Sequence, residues 1–255
     1  MKIKSLKNNV AHNNILISEE HPIENKELEL DLDFTQALAN ILVVALENKR
    51  FARRQLEQEV VKREMEIASQ VQQLLFPATL PNTDHLKAEV TYVPHSRVGG
   101  DYYDLIASGA EKIYFCIADV SGKGMAAALL MSNFQAALRT LLRSNADLEA
   151  LIHQLNFTLF DLTKGERFIT FFLGEYEFAS GNLRYVNAGH NPPVLCSSEA
   201  EATEFLEAGT TILGAFESLP FLEVGKRDGL KEFTLHLFTD GLTEAMNPEE
   251  EEYGE

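Results

Sequence analysis

The sequence predicts an α+β protein in which a long helix precedes a turn-rich domain, and two features of its 255 residues support this prediction. Glycine is unevenly distributed, because residues 1–98 contain none and all 15 glycines lie from Gly99 onward. Beyond that point, runs of strand-forming residues stand next to one another, and two helix-like segments lie together between them. This grouping is typical of α+β domains with stacked layers, whereas α/β domains alternate strands and helices.

The long helix is predicted from residue 34 to about residue 76. This stretch contains no glycine or proline, and Pro77 and Pro81 end it. An interrupted heptad seam runs through Leu42, Leu46, Lys49, Arg53, Leu56, Val60, Arg63, Ile67, Gln70 and Leu74. Because an apolar stripe needs a partner surface, we expect residues 34–80 to be a coiled-coil-like linker that forms a homodimer through residues 34–76. A connector that changes register and an imperfect structural coiled coil both fit this seam. No structure is assigned to residues 1–33.

Residues 81–255 are the second predicted domain. Strands are predicted at residues 88–93, 113–119 and 233–238, and a hairpin is predicted from strands 168–178 and 182–186 around Ala179-Ser180-Gly181. Helices are predicted at residues 124–142 and 148–162, where Leu recurs with other helix-forming residues.

The composition of the chain argues against several classes of function. A formal net charge of −17 disfavours nucleic acid as a partner, since the phosphate backbone attracts basic patches. A phosphorylated substrate stays open, because bound cations reverse the local field. The longest apolar stretch, residues 41–46, is too short to span a bilayer, and no secretion leader is expected. Cys116 and Cys196 fit unpaired thiols in a reducing compartment. We therefore expect a cytoplasmic protein without a membrane or nucleic-acid partner.

Three aspartates predict a metal site: Asp101 in V-G-G-D-Y-Y-D, Asp119 in F-C-I-A-D-V-S-G-K-G and Asp240 in H-L-F-T-D-G. A turn around Ser108-Gly109 separates the first two, which suits a hairpin with both carboxylates at one end of a sheet, and Asp240 would join them from a distant strand. Carboxylate oxygens suit Mg²⁺ or Mn²⁺, and no Cys or His cluster with zinc spacing competes. The alternative for each aspartate is the capping of a turn.

Three further residues each have two interpretations. Asp104 is either a further ligand or a cap of the turn after Tyr103. Arg97 either binds substrate phosphate through its planar guanidinium or forms a surface salt bridge. His190, in A-G-H-N-P-P, is either a general acid or a packed loop histidine that orders Asn191 and the two prolines.

The motifs together resemble those of a known family. V-G-G-D-Y-Y-D, A-D-V-S-G-K-G-M-A-A-A-L, N-A-G-H-N-P-P and F-T-D-G-L-T-E-A occur in the order found in the SpoIIE/RsbU-type branch of the PPM (PP2C-like) serine/threonine phosphatases. The resemblance covers residues 64–255, including E-x-x-x-A-S-x-V-Q-Q-x-L-x-P at residues 64–77. It implies a β-sandwich flanked by helices, with two Mn²⁺ or Mg²⁺ ions at one edge. Residues 37–50 are similar to the closing helix of a GAF sensor domain, of which residues 1–33 would be a remnant.

The resemblance also implies roles for individual residues. Asp119 would bridge both ions, and the Val120 carbonyl would be a further ligand. Asp101 and Asp240 would ligate the ions directly or through water. An activated water would then attack a phosphoserine or phosphothreonine in line, without a covalent enzyme intermediate. The expected partner is a phosphorylated anti-sigma-factor antagonist of the STAS type.

One element of the family pattern is missing from this sequence. The family carries a further metal-binding aspartate on a final strand, in a D-D-[VI]-T setting, and no such segment follows Asp240. We therefore expect a phosphatase domain that lacks its last helix and strand, and the alternative function is a catalytically silent regulatory module of the same fold. We also hypothesise that the helix at 34–76 regulates catalysis by acting on the helix at 124–142.

Overall fold

The computed structural model describes residues 25–94, 97–144, 147–197, 203–249 and 251–254, with side chains from Asp33 onward. The chain divides into two units, Met1–Val60 and Val61–Glu255. Residues 1–24, which are most of the segment 1–33 expected to be a remnant of a GAF domain, lie outside the described residues. The division falls inside the predicted linker 34–80, so the last turns of the long helix belong to the second unit.

Helix α1 (Asn25–Gln73) begins earlier than the predicted residue 34 and ends shortly before Pro77, as predicted. The Glu, Leu and Lys residues between positions 25 and 33 are good helix formers, and no Gly or Pro interrupts them. The apolar residues of the heptad seam are exposed, with Leu42 at 56% and Leu56 at 69%. Pairing of this helix with a second copy stays a prediction.

Two β-sheets form the body of the second unit. The strands are β1 (Tyr102–Ser108), β2 (Lys112–Val120), β3 (Ile169–Glu177), β4 (Asn182–Ala188), β5 (Val194–Ser197), β6 (Thr203–Phe205), β7 (Gly209–Thr210), β8 (Gly225–Arg227) and β9 (Phe233–His236). The larger sheet has the order β1-β2-β3-β4-β7, with β8 also paired to β4, and its first four strands are antiparallel neighbours. The smaller sheet has the order β6-β5-β9.

Three helices complete this unit: α2 (Met125–Arg143), α3 (Leu148–Thr163) and the short α4 (Asp240–Thr243). Because side chains alternate along a strand, each face of the larger sheet has its own core. Phe171 of β3 packs with α2 and α3 and meets Phe134 edge to face at 4.9 Å between ring centroids. The next residue, Phe172, packs with Leu195 of the smaller sheet. The larger sheet therefore lies between a helical layer and the smaller sheet.

Helix α2 is the one described helix whose length and apolar composition would allow it to cross a membrane. Its side chains Met131, Phe134 and Leu138 are at most 1% exposed, because they pack against the larger sheet. This burial is typical of the core helix of a folded domain.

The structure confirms most of the predicted elements of this unit. Both helices, the strands at 113–119 and 233–238, and the hairpin of 168–178 with 182–186 have counterparts. The predicted strand at residues 88–93 is wrong, since the segment pairs with no described strand and only an isolated bridge between Asn82 and Lys87 lies nearby. Val90 and Val93 are 39% and 83% exposed, so these β-branched side chains have no sheet face to cover.

Candidate metal centre

The first β-hairpin brings two of the three predicted aspartates together. Its register pairs Tyr102 with Ala118 and Ser108 with Lys112, and Gly109 takes a φ of 70° in the turn. One step beyond the first pair, Asp101 stands opposite Asp119, and the two carboxyl groups share a hydrogen bond. The predicted hairpin around Ser108-Gly109 is thus present, and it places both side chains at one end of the sheet.

A close backbone approach explains the glycine that precedes Asp101. A Cβ built on Gly100 would lie 2.8 Å from the carbonyl oxygen of Val120 and 3.4 Å from the Cβ of Ala127. Any larger residue would push this segment away from the end of β2. The Val120 carbonyl, one of the predicted ligands, therefore lies directly beside the segment that carries Asp101.

Asp240 comes from near the C-terminal end of the second unit in the sequence, and the segment that carries it contacts Asp101. It is the first residue of α4, and the preceding Thr239 donates a hydrogen bond from its hydroxyl to Oδ2 of Asp101 at 3.4 Å. The charge of Asp240 raises the pKa of both Asp101 and Asp119. We call Asp101, Asp119 and Asp240 the acidic centre.

Burial and mutual repulsion disfavour full ionisation of the acidic centre. Burial, followed by the charges of Asp101 and Asp240, raises the pKa of Asp119 to about 7. Burial also raises the pKa of Asp101, although hydrogen bonds from Asp119 and Thr239 oppose the shift. Two carboxyl groups in contact with one shared proton form the kind of donor set from which a divalent cation can displace that proton.

Two observations test whether a metal fits these residues. Within the described ranges, no three His, Cys, Asp or Glu side chains are arranged to hold an ion as they stand. Two buried polar side-chain atoms in the same ranges lack a hydrogen-bond partner, the Tyr92 hydroxyl and Nε2 of His190. Burial, followed by the charge of Asp101, raises the pKa of Tyr92 to about 12, and burial lowers the pKa of His190 to about 4 against a smaller opposing effect of Asp240. The carboxylate oxygens of Asp101, Asp119 and Asp240 are the donor type that a hard cation binds, and the charge of Asp240 reaches the other two.

Asp104 fits neither of its two sequence-based interpretations. It is fully buried on β1, and its carboxylate accepts hydrogen bonds from Nε and Nη2 of Arg139 at 2.7 and 3.0 Å. The hydroxyl of Tyr102 donates to the same carboxylate at 2.5 Å. Asp104 thus forms a buried ion pair that joins β1 to α2.

Arg97 adopts the second of its predicted roles in this structure. Its guanidinium contacts the carboxylate of Glu66, and Nη1 donates to the carbonyl of Lys62 at 3.3 Å. Both side chains are exposed, so the contact is a surface ion pair with the last turns of α1. Binding of substrate phosphate by Arg97 stays a prediction, and this arrangement does not support it.

His190 is a packed histidine rather than an acid ready for catalysis. The residue is 5% exposed, and Nδ1 lies 2.9 Å from the hydroxyl oxygen of Thr170. Burial lowers the pKa of His190 to about 4, so the ring is neutral near pH 7. The surrounding loop is ordered by Asn187, whose side chain accepts from the His190 N–H at 2.8 Å and donates to the carbonyls of His190 and Leu206.

Two residues near the acidic centre were not predicted from the sequence. Gln72 is buried at the end of α1, where its amide donates to the carbonyl of Gly99 at 2.7 Å and accepts from the Gly99 N–H at 3.1 Å. Arg167 folds over Gly122 and donates to the carbonyl of Ser121 at 3.1 Å. We call this pair of hydrogen bonds between Gln72 and the Gly99 backbone the Gln72 clamp. No local pattern distinguishes Gln72 from its neighbour Gln73, because the clamp joins residues 27 positions apart.

Comparisons with known proteins agree with this architecture. The family model for Stage II sporulation protein E (SpoIIE) matches residues 109–255. Phosphoserine phosphatase RsbU of Bacillus subtilis is 32% identical over 195 residues, which are 73% of this chain and 55% of RsbU. Protein IcfG of Synechocystis is 25% identical over 233 residues, which are 81% of this chain and 36% of IcfG. The chain thus spans about half or less of the length of these curated relatives.

Solved structures show the same fold. The PP2C domain of SiaA from Pseudomonas aeruginosa superposes with a TM-score of 0.63 at 20% identity, covering 78% of this chain and 79% of that domain. The RsbU and RsbW domains of a Mycobacterium tuberculosis protein give a TM-score of 0.50 at 26% identity, over 60% of this chain and 43% of that one. Of these relatives, RsbU is a phosphoserine phosphatase and the SiaA structure is that of a PP2C domain. The motif order, the PP2C-like sandwich and the family match together show that this chain belongs to the SpoIIE/RsbU-type family of PPM phosphatases.

Proposed function

We propose that this chain is a metal-dependent protein phosphatase that removes phosphate from phosphoserine or phosphothreonine in a protein substrate. One observation carries the proposal: the first hairpin brings the carboxyl groups of Asp101 and Asp119 into contact, and Asp240 acts on both. Three acidic side chains from distant parts of the chain are costly to gather unless a cation neutralises them. The phosphoserine specificity named for RsbU supports the substrate class.

The residues that would hold the metal are those of the acidic centre and the backbone of Val120. Asp101, Asp119, Asp240 and the Val120 carbonyl supply hard oxygen donors for two Mn²⁺ or Mg²⁺ ions. When bound, such ions supply an activated water and stabilise negative charge on the phosphoryl group. Thr239 orients Asp101 through its hydroxyl, and Gly100 allows the Val120 carbonyl to lie close by.

The partner and the setting are part of the same proposal. We infer a phosphorylated STAS-type antagonist as the substrate, a cytoplasmic location and a homodimer formed through residues 34–76. The net charge of −17 supports a protein rather than a nucleic-acid partner. The exposed seam of α1 supports the dimer.

A phosphorylated STAS domain is the substrate that tests the proposed phosphatase activity most specifically. With Mn²⁺ present, the parent should release phosphate from phosphoserine, and Asp119→Asn should reduce the rate by at least about 100-fold. Asp161→Asn is the matched control, because Asp161 lies exposed on α3 and pairs only with Lys164 among the described residues. Equal rates in the parent and Asp119→Asn would overturn the proposal.

The second candidate is a catalytically silent regulatory module with the same fold. The absence, among described residues, of three acidic side chains already arranged for an ion favours it. Hydrolysis of p-nitrophenyl phosphate distinguishes the two candidates, because a silent module would bind a partner without manganese-dependent turnover.

A further inference from the structure

The loop that follows Asp119 holds the guanidinium of Arg167 in a fixed place. Nη1 of Arg167 donates to the carbonyl of Ser121 at 3.1 Å. Ser121 lies two residues, at most roughly 7 Å, beyond Asp119. A Cβ on Gly122 would collide with the same Nη1, so this glycine, with a φ of 101°, leaves the space that the guanidinium occupies. The positive charge is therefore held beside the strand end that supplies Asp119.

The loop itself is fastened without the help of Arg167. The N–H of Ser121 donates to the carbonyl of Phe168 at 3.0 Å, and the N–H of Phe168 donates to Oγ of Ser121 at 3.0 Å. Because a peptide unit is planar and trans, the first of these bonds also directs the Val120 carbonyl away from β3, towards Gly100. The contact of Arg167 with the loop thus fixes the guanidinium, while other bonds orient the predicted metal ligand.

The guanidinium keeps donors for a ligand. Arginine carries five N–H groups in a planar fork, and the Ser121 carbonyl accepts from one of them. Arg167 is exposed, and in the described ranges no carboxylate forms an ion pair with it, in contrast to Arg97, Arg139 and Arg184. The whole chain has a net charge of −17, so an arginine without a carboxylate partner beside the acidic centre is suited to an anionic ligand.

We propose that Arg167 binds the phosphoryl group of the substrate, with N–H groups donating to phosphoryl oxygens while one N–H of Nη1 stays on the Ser121 carbonyl. A guanidinium donates to two phosphate oxygens at once, and such charge-assisted hydrogen bonds are stronger than neutral ones. The inference rests on the proposed function in that the acidic centre receives the same phosphoryl group. It gives Arg167 the role that the sequence suggested for Arg97, which pairs with Glu66 in this structure.

Binding of phenylphosphonate tests this role without turnover, because its C–P bond resists hydrolysis. With Mn²⁺ present, the parent should bind the phosphonate, and Arg167→Gln should bind it at least about 10-fold more weakly. Arg143→Gln is the matched control, since Arg143 is also exposed but ends α2, the helix that begins just after this loop. Its affinity, measured by the same calorimetry, should stay within about 2-fold of the parent. A parent that binds no phosphonate, or an Arg167→Gln variant with the parent's affinity, would overturn the proposal.

The affinity for Mn²⁺ separates binding of the phosphoryl group from positioning of the loop. If Arg167 only held the loop, its loss would displace the Val120 carbonyl and would weaken Mn²⁺ binding as much as phosphonate binding. We expect the Mn²⁺ affinity of Arg167→Gln, measured without phosphonate, to stay within about 3-fold of the parent. Equal losses of the two affinities would refute a direct contact with the phosphoryl group.

Arg167→Lys keeps the charge but not the fork of donors. One ammonium group cannot both stay on the Ser121 carbonyl and donate in a plane to two phosphoryl oxygens. We therefore expect this variant to bind phenylphosphonate more weakly than the parent, by about 3-fold or more. An affinity equal to that of the parent would contradict donation by the guanidinium fork, and this variant also serves if Arg167→Gln does not fold.

The proposed function and this inference can fail separately. If the parent binds phenylphosphonate through Arg167 but hydrolyses no phosphoester, the proposed function fails and the inference stands. If the parent hydrolyses phosphoesters while Arg167→Gln keeps the parent's affinity for phenylphosphonate, the inference fails and the proposed function stands.

Discussion

At Asp119, burial and the charges of neighbouring carboxylates raise the pKa together. It stands at the end of β2, in contact with Asp101 and within the field of Asp240, and its pKa rises to about 7. The ordinary value is 3.8, so the folded protein holds this proton more tightly than the unfolded chain does. In the absence of metal, its contribution to stability is fully present below about pH 4 and is lost as the pH rises through about 7.

Asp119→Asn should therefore stabilise the metal-free protein near neutral pH. Asparagine removes the charge that Asp101 and Asp240 repel, so the melting temperature at about pH 8 should rise by a few degrees. At about pH 3 the parent carboxyl is protonated in both the folded and the unfolded chain, and the two proteins should melt within about a degree of each other. Thermal unfolding with chelator present measures both differences.

Comparing the parent with Asp119→Asn separates the effect of Asp119 on the melting temperature from that of His190. The depressed pKa of His190 changes stability in the opposite sense, since that contribution is lost as the pH falls from 6.5 towards about 4. Both proteins contain His190, so its effect cancels in the difference. A melting-temperature difference that did not change with pH would contradict the assignment of the raised pKa to Asp119.

At the scale of elements, two contacts hold the acidic centre in place. The Asp104–Arg139 ion pair fastens α2 to β1, the strand that follows Asp101. Gln72, at the end of α1, forms two hydrogen bonds with the backbone of Gly99. Gly99 lies two positions before Asp101. Gln135 of α2 also donates to the carbonyl of Leu75 at 3.3 Å. These contacts support the hypothesis that the long helix acts on α2.

Loss of Arg139 should strongly destabilise the second unit. Arg139→Ala leaves the fully buried Asp104 without its cation, and removing one partner of a buried pair costs about 3–5 kcal/mol. Arg143→Ala, on the exposed last turn of the same helix, should change the free energy of unfolding by less than about 0.5 kcal/mol. Denaturant unfolding of both variants checks this, and similar effects would show that the ion pair does not fasten α2.

The Gln72 clamp allows a direct test of the link between α1 and catalysis. Gln72→Ala releases the Gly99 segment, so we expect turnover and Mn²⁺ affinity to fall about 10-fold. Gln73→Ala removes an exposed neighbour on the same helix and should leave both unchanged. Steady-state kinetics and metal titration measure these effects, and an unchanged Gln72→Ala variant would count against regulation by this route.

At the scale of the whole molecule, the exposed seam of α1 predicts self-association. Leu46 and Leu56 are 55% and 69% exposed in the single chain, although both lie on the heptad seam. A double change of Leu46 and Leu56 to Lys should convert a dimeric parent into a monomer, because two charges would enter the apolar contact. Gln58→Lys, off the seam, is the matched control. Light scattering after size-exclusion chromatography decides this, and a monomeric parent would contradict the dimer.

Elements with strong local patterns could be predicted from the sequence, whereas tertiary partners could not. Helices α2 and α3 and the hairpin of β3 and β4 follow from periodicity and turn residues. Strands β5–β8 are two to four residues long, too short to leave a periodic signal. The segment 88–93 has strand composition but pairs with no strand in the part of the chain that the structure describes. The ion pair of Asp104 with Arg139 and the contact of the His190 ring with Thr170 join distant segments, which no local pattern encodes.

Manganese-dependent hydrolysis of p-nitrophenyl phosphate tests the central claim most directly, because it requires the acidic centre but no protein partner. If Asp101, Asp119 and Asp240 form a catalytic metal site, the parent will turn over only when Mn²⁺ or Mg²⁺ is present. Asp119→Asn will then be at least about 100-fold slower, while Asp161→Asn matches the parent. Turnover that is independent of metal, or equal in Asp119→Asn and the parent, would contradict the account.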